Sequence, residues 1–259
     1  AIILSCPDLQ PLFTDQDALT LPNTCGIVGN EDINQAGDYV FLSGFSTAIF
    51  LRKAGTPSAV RLLQFGDPVP GFPGSRMNGI ATPPRINAAG TVIFGVDFSL
   101  EGIERRVILR YDGSSFSTVA YSGDVAPGTS GATFGFAMSL IGVNASGDVA
   151  FQAPLVPIGP PNLQAADTLF VAPAGGATAR ISGRGDTAPE TTGGTFDSIG
   201  GMVFNDAAEV LFRAQVVGGT GGYGRCAATA TGVRKSVSNG DAKPCGGTFS
   251  LATSSAVSW

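Results

Sequence analysis

Short apolar runs, each followed by a polar turn, recur in register along this chain. Ile2-Ile-Leu-Ser-Cys6 aligns with Ile49-Phe-Leu-Arg-Lys53, with Val107-Ile-Leu-Arg-Tyr111 and with Thr168-Leu-Phe-Val171. Each reads as a strand entering a hairpin. The returning strand follows as Val60-Arg-Leu-Leu63, Ser117-Thr-Val-Ala120, Ala179-Arg-Ile-Ser182 and Val233-Arg-Lys-Ser236. It ends in Gly-Asp-x-x-Pro, at Gly66-Asp67 with Pro70, Gly123-Asp124 with Pro127, Gly185-Asp186 with Pro189 and Gly240-Asp241 with Pro244. Glycine permits a positive φ, aspartate bonds its own turn and proline cannot continue a ladder, so the signature stops a strand. A degraded copy stands at Asp17 and Pro22.

Two further signatures complete the unit. Gly131-Ala-Thr-Phe134, Gly194-Thr-Phe196 and Gly247-Thr-Phe249 open strands rich in small residues, such as Gly135-Phe-Ala-Met-Ser-Leu140. Then comes a turn and a strand: Asn34 and Gly37 leading to Phe41, Asn87 and Gly90 to Phe94, Asn144 and Gly147 to Phe151, and Asn205 and Ala208 to Phe212. The asparagines are spaced by 53, 57 and 61 residues. A period of this size is the mark of a tandem array.

Four short antiparallel strands per repeat describe a blade. The sequence therefore predicts an all-β chain forming a single β-propeller domain over 1–259, five-bladed, with a composite and incomplete closing blade. The repeat units fall at about 26–70, 71–127, 128–189 and 190–245, and residues 1–25 with 246–259 form the closing blade. That blade lacks its second strand, because Trp259 stands where the next asparagine belongs. Three arrangements satisfy this pattern. The blade is smaller, the strand lies in chain beyond these residues, or a partner chain supplies it by strand complementation. In the last case an open head-to-tail contact builds a filament.

Composition narrows the chemistry. Gly 37 and Pro 17 make about a fifth of the 259 residues, and only 14% are charged, which suits many tight turns. The net charge of −5 argues against a nucleic-acid partner. No histidine is present, which removes the commonest general base and metal ligand. No apolar run reaches the length of a membrane span. Serine and threonine are abundant, but none has a histidine or lysine partner that would activate it.

Cys6, Cys25, Cys226 and Cys245 form two sequential pairs, each 19 residues apart. Equal spacing at equivalent repeat positions reads as disulfides Cys6–Cys25 and Cys226–Cys245, with cross-pairing between the two ends as the alternative. A four-cysteine zinc site is disfavoured, because no closely spaced cysteine knuckle exists.

The motif Asn-x-x-Gly-x-x-Ala-Phe, complete at Asn144–Phe151 and partial at the other three positions, resembles the bacterial secreted and surface proteins known for tandem NxxGxxAF repeats. That resemblance spans nearly the whole chain. It implies an extracellular or cell-surface location and brings no established activity, so no catalytic residue carries over.

Asp67, Asp124, Asp186 and Asp241 share one repeat position and are candidates for calcium, against a capping role in their turns. Asp38 and Asp148 invite the same two readings. Asn144-Ala-Ser146 is a glycosylation sequon placed inside the repeat turn. Glu101, Glu104, Arg105 and Arg106 read as an exposed charged loop, and Pro154–Pro161 as an inserted loop. Tyr39, Tyr111, Tyr121, Tyr223 and Trp259 form no sugar-stacking ladder. The expectation is a non-enzymatic extracellular structural protein without a cofactor. Its partners would be copies of itself, joined as a fibre or coat through the incomplete blade. The alternative is a propeller that binds glycans or another surface ligand.

Overall fold

A computed structural model gives the structure of the chain and describes residues 31–43, 47–156, 168–219, 222–238, 240–244 and 248. These residues contain strands and turns and no helix. Four antiparallel sheets of four strands hold all but two of the strands described. The first holds β1 (Asp32–Ile33), β2 (Tyr39–Leu42), β3 (Ala48–Arg52) and β4 (Val60–Gln64). The second holds β5 (Arg76–Ile86), β6 (Val92–Leu100), β7 (Ile103–Tyr111) and β8 (Phe116–Tyr121). A short β9 (Thr133–Phe134) precedes the third sheet, which orders β10 (Ser139–Val143), β11 (Val149–Ala153), β13 (Thr168–Ala172) and β14 (Ala179–Gly183). Between β11 and β13, β12 (Leu155–Val156) pairs back onto β9. The fourth sheet holds β15 (Thr195–Phe204), β16 (Val210–Val217), β17 (Gly222–Thr229) and β18 (Gly232–Ser238).

The described residues group into two compact units that meet within β8, one up to Thr118 and one from Val119. In the first unit, Phe41 and Phe50 stack at 5.4 Å and form a small core with Ala48, Tyr39 and Ala59. In the second, Leu169 and Val171 of the third sheet pack with Phe196, Phe212 and Cys226 of the fourth. Phe151 and Phe170 stack at 5.3 Å, and Phe134 meets Phe170 edge-on at 5.0 Å. Each fully buried phenylalanine contributes about 1.5–3 kcal/mol of burial free energy.

Some middle strands are buried on both faces, whereas β16 alternates. Every residue of β13 is buried, and so are the first five of β6. This accounts for their unbroken apolar runs, since alternation marks a sheet with one wet face. At the centre of each sheet the motif phenylalanine faces a third-strand partner. The pairs are Phe41–Phe50, Phe94–Leu109, Phe151–Phe170 and Phe212–Cys226.

Several sequence expectations need correction. The charged group is not a loop: Glu101 and Gly102 are the two-residue turn joining β6 to β7, both at positive φ (53° and 77°), and Glu104, Arg105 and Arg106 lie in β7. Arg106 reaches back across that hairpin to Asp97, with bonds of 2.7 and 3.1 Å. The small-residue strand 135–140 is broken: β9 ends at Phe134 and β10 starts only at Ser139, with Met138 N–H bonded to Phe136 O at 2.8 Å. Cys226 is a buried free thiol. Cys6, Cys25 and Cys245, Trp259 and the closing segments 1–25 and 246–259 lie outside the described residues, apart from Thr248.

Candidate functional site

Two features repeat in every sheet, the asparagine turn and the linker to the next strand. The asparagine side chain builds the first. Its carboxamide oxygen accepts the N–H four residues on, at 2.9 Å in Asn34, Asn87 and Asn205 and 2.8 Å in Asn144. Its backbone N–H bonds the carbonyl of that same residue, at 3.0 to 3.2 Å. The chain can close this way only if the fourth turn residue takes a positive φ. Gly37, Gly90 and Gly147 do so at 84°, 81° and 85°. Ala208 is forced there as well, at 57°, so the turn survives without its glycine, with strain in the alanine backbone.

The acid that follows ties this turn to the turn after the third strand, at the same end of the sheet. Asp38 accepts Ala54 N–H at 2.8 Å, and Asp148 accepts Ala174 N–H at 2.9 Å. The Ala54 N–H, together with Lys53 at 3.1 Å, lowers the Asp38 pKa from its ordinary value despite partial burial. Glu209 takes the position in the fourth sheet and is lowered chiefly by Arg234, at 2.8 Å. Asn144 is buried, and its side-chain nitrogen donates to Asp148 at 3.0 Å. In the folded chain it is therefore a turn residue with no free amide for a glycan.

Within each unit, neighbouring turns touch. Asn34 donates to Asn87 O at 3.1 Å, and Ala145 N–H donates to Asp206 at 2.8 Å. A Cβ at Gly90 would stand 2.6 Å from Lys53 Nζ, the movable end of a long side chain, so it is the positive φ of 81° that favours glycine there.

The linker is built as regularly. Its glycine N–H donates to the carbonyl of the residue eleven positions on, and that residue's N–H returns a bond to the aspartate carbonyl. Gly66 and Asp67 pair this way with Met77, Gly123 and Asp124 with Phe134, and Gly185 and Asp186 with Phe196, all at 2.7 to 2.9 Å. Met77 thus occupies the place of the Gly-Thr-Phe phenylalanine, although nothing in its local sequence announces it. The fourth linker is formed too: Ala242 bridges to Thr248, as Thr187 does to Thr195.

The linker carboxylates close their own turns. Asp67, Asp186 and Asp241 accept the N–H three residues back, from Gln64, Gly183 and Ser238, at 3.0, 2.8 and 2.7 Å. Each also faces a cation six residues back: Arg61 at 4.0 Å, Arg180 at 2.7 Å and Lys235 at 3.3 Å. Between cation and acid the fourth strand carries a bulge, with Leu62, Ile181 and Ser236 as the extra residues. The extra residue turns the cation towards the acid. Simple alignment had set Arg234 beside Arg180; the bulge register puts Lys235 there instead. Asp124 has Thr118 at the cation position and only accepts Val125 N–H, at 2.8 Å.

The residue after the linker proline seats on the cation position of the sheet that the linker leads into. A Cβ at Gly71 would lie 3.4 Å from Thr118 Oγ1, and one at Gly128 would lie 3.0 Å from Arg180 Cβ. Glu190 pairs with Lys235 at 3.2 Å. All three adopt positive φ, at 84°, 67° and 57°. Glu190 and Asp241 together raise the Lys235 pKa. Burial first, and Glu190 second, push the Cys226 thiol up to about 11.

Among the described residues, no three of His, Cys, Asp and Glu gather where they could share a metal ion. The four linker aspartates sit in four separate turns. Glu101 caps a hairpin and Arg106 is paired with Asp97, so that charged group offers no acid–base pair. Tyr39 stacks on Phe41 at 5.4 Å and Tyr111 on Phe116 at 4.9 Å, each inside its own sheet.

No curated protein matches this chain. Residues 14–243 match a family defined by sequence alone, and that span takes in all four sheets and nearly all of the fourth linker. The chain belongs to DUF7453, a family of unknown function.

Proposed function

We propose that this chain is a non-enzymatic, extracellular structural protein whose four-stranded sheets are blades of a β-propeller, and that copies of it assemble head to tail into a fibre or coat. The observation that carries this reading is the junction between linker and following sheet. It is formed with the same reciprocal backbone bonds at Met77, Phe134 and Phe196. A module that grips its successor through backbone bonds can grip an equivalent surface on another copy, since those bonds depend little on side-chain identity. The side chains that define the repeat are committed to turns and junctions, which suits a building unit better than a reactive surface.

In this reading residues 1–25 and 246–259 contribute strands to a fifth blade. A bridge between Cys226 and Cys245, formed under oxidising conditions, belongs to the same proposal. Light scattering coupled to size separation tests it. The mass of the full chain rises with concentration if the reading holds. A monomer mass across the accessible range, in oxidising buffer, overturns it.

A further inference from the structure

The first linker differs from the other three in the residue that follows its aspartate. Asp67 is followed by Pro68, whereas Asp124, Asp186 and Asp241 precede Val125, Thr187 and Ala242. The Asp67–Pro68 peptide is a tertiary amide whose nitrogen carries no hydrogen. Such a nitrogen takes up a proton more readily than that of a secondary amide, and so leaves more easily. The turn arranges the remaining groups around this bond. The Asp67 carbonyl oxygen accepts Met77 N–H at 2.9 Å, a donor placed to hold negative charge as it develops on that oxygen. Carboxylate Oδ2 of Asp67 accepts Gln64 N–H at 3.0 Å, while Oδ1 accepts no hydrogen bond among the described residues. At Asp186 and Asp241, by contrast, both carboxylate oxygens are engaged. Pro68 is exposed and Val69 is buried, so water reaches the bond while the chain beyond it is fixed.

We propose that the Asp67–Pro68 bond is a self-cleaving site, opened by the Asp67 carboxylate in mild acid. Oδ1 adds to the carbonyl carbon of its own residue. As the tetrahedral carbon collapses, the C–N bond to Pro68 breaks. The nitrogen takes a proton from water and leaves as a secondary amine, and a cyclic anhydride remains at Asp67. One water molecule opens the anhydride, so the net reaction is hydrolysis of one peptide bond. Nucleophile and carbonyl belong to one residue, so no encounter has to be arranged. The charged groups facing the turn are Arg61 on β4, 4.0 Å from Asp67, and Arg76 on β5, which donates to Gly66 O at 2.8 Å. Both are guanidinium ions that stay charged, so the pH response comes from the proton delivered to the departing nitrogen. The rate rises as pH falls from neutral towards the carboxylate range, near pH 4. The new ends stay in place in the folded chain, because Gly66 and Asp67 remain bonded to Met77 and Asp32 accepts Ile86 N–H at 3.0 Å.

The full chain is incubated at about pH 5, where the fold is expected to hold, and at about pH 7. Mass spectrometry under denaturing conditions is expected to find two fragments, one ending at Asp67 and one beginning at Pro68, which accumulate faster at the lower pH. Asp67→Asn removes the carboxylate and keeps the proline. Pro68→Ala keeps the carboxylate and also the turn, since Thr187 and Ala242 hold that position in other linkers. Each is expected to slow cleavage at least about tenfold, with circular dichroism showing that the sheets are retained. The same chain unfolded in urea at about pH 5 separates the contribution of the turn from the acid lability of any aspartyl–proline bond. The folded chain is expected to cleave at least about tenfold faster than the unfolded one. Equal or faster cleavage of the unfolded chain overturns the proposal. So does a folded chain that stays intact at the lower pH, or a folded Asp67→Asn or Pro68→Ala chain that cleaves at the original rate.

Discussion

Ala208 shows what a single residue must do in this repeat. The asparagine turn needs a positive φ at its fourth position, and alanine supplies it against steric resistance that glycine does not feel. Ala208→Gly is therefore expected to stabilise the chain by roughly 0.5–1 kcal/mol, the left-handed strain relieved less the extra freedom of glycine when unfolded. Chemical denaturation reads this directly, and a loss of stability would mean the turn is not strained as described. The linker acids differ among themselves in the same physical way. Asp186 bonds both Gly183 N–H and Arg180, whereas Asp124 bonds only the adjacent Val125 N–H. Asp186→Ala is expected to cost about 1–2 kcal/mol and Asp124→Ala less than about 0.5 kcal/mol. Equal costs for the two would show that the Gly183 N–H and Arg180 together add nothing.

At the scale of elements, the turns were legible because glycine, asparagine and proline have few other reasons to recur at fixed offsets. The four-stranded grouping was legible for the same reason. What stayed hidden depends on pairing across strands. The bulges at Leu62, Ile181 and Ser236 shift register by one residue, and that shift moved Lys235, not Arg234, into the cation position. The constant offset of six between cation and acid was a signal that could have revealed it. Met77 was missed because position, not residue type, makes the junction. Cys226 occupies the third-strand core position held by Phe50 and Phe170 elsewhere, a place that cysteine spacing does not indicate.

The same elements set the response to pH. Asp38, Glu209 and Asp241 titrate lower when folded, held by the Ala54 N–H, Arg234 and the Ser238 N–H respectively. The stability they add is present above the unfolded carboxylate range, near pH 4, and is lost as pH falls through their folded values. Lys235 and Cys226 are shifted upward. Their contribution is complete below the unfolded values, about 10.4 for a lysine and about 8.5 for a thiol, and disappears as pH rises through the folded ones, about 11 for Cys226. Melting temperature plotted against pH should be flat from about pH 5 to 8 and fall on both sides. A steady slope across that plateau would place the controlling groups elsewhere.

For the whole molecule, the account joins a repeated internal junction to an external one. The linker-to-sheet contact recurs along the chain at Met77, Phe134 and Phe196, and in the head-to-tail assembly proposed above an equivalent contact joins one copy to the next. A surface and its complement at separate places on one chain make a heterologous contact, which propagates unless its rotation closes into a ring. Electron microscopy of the purified full chain, imaged over a range of concentrations, tests this most directly. The account predicts rows or closed rings of repeating units that lengthen or become more frequent as concentration rises. A uniform field of single particles at every concentration would contradict it.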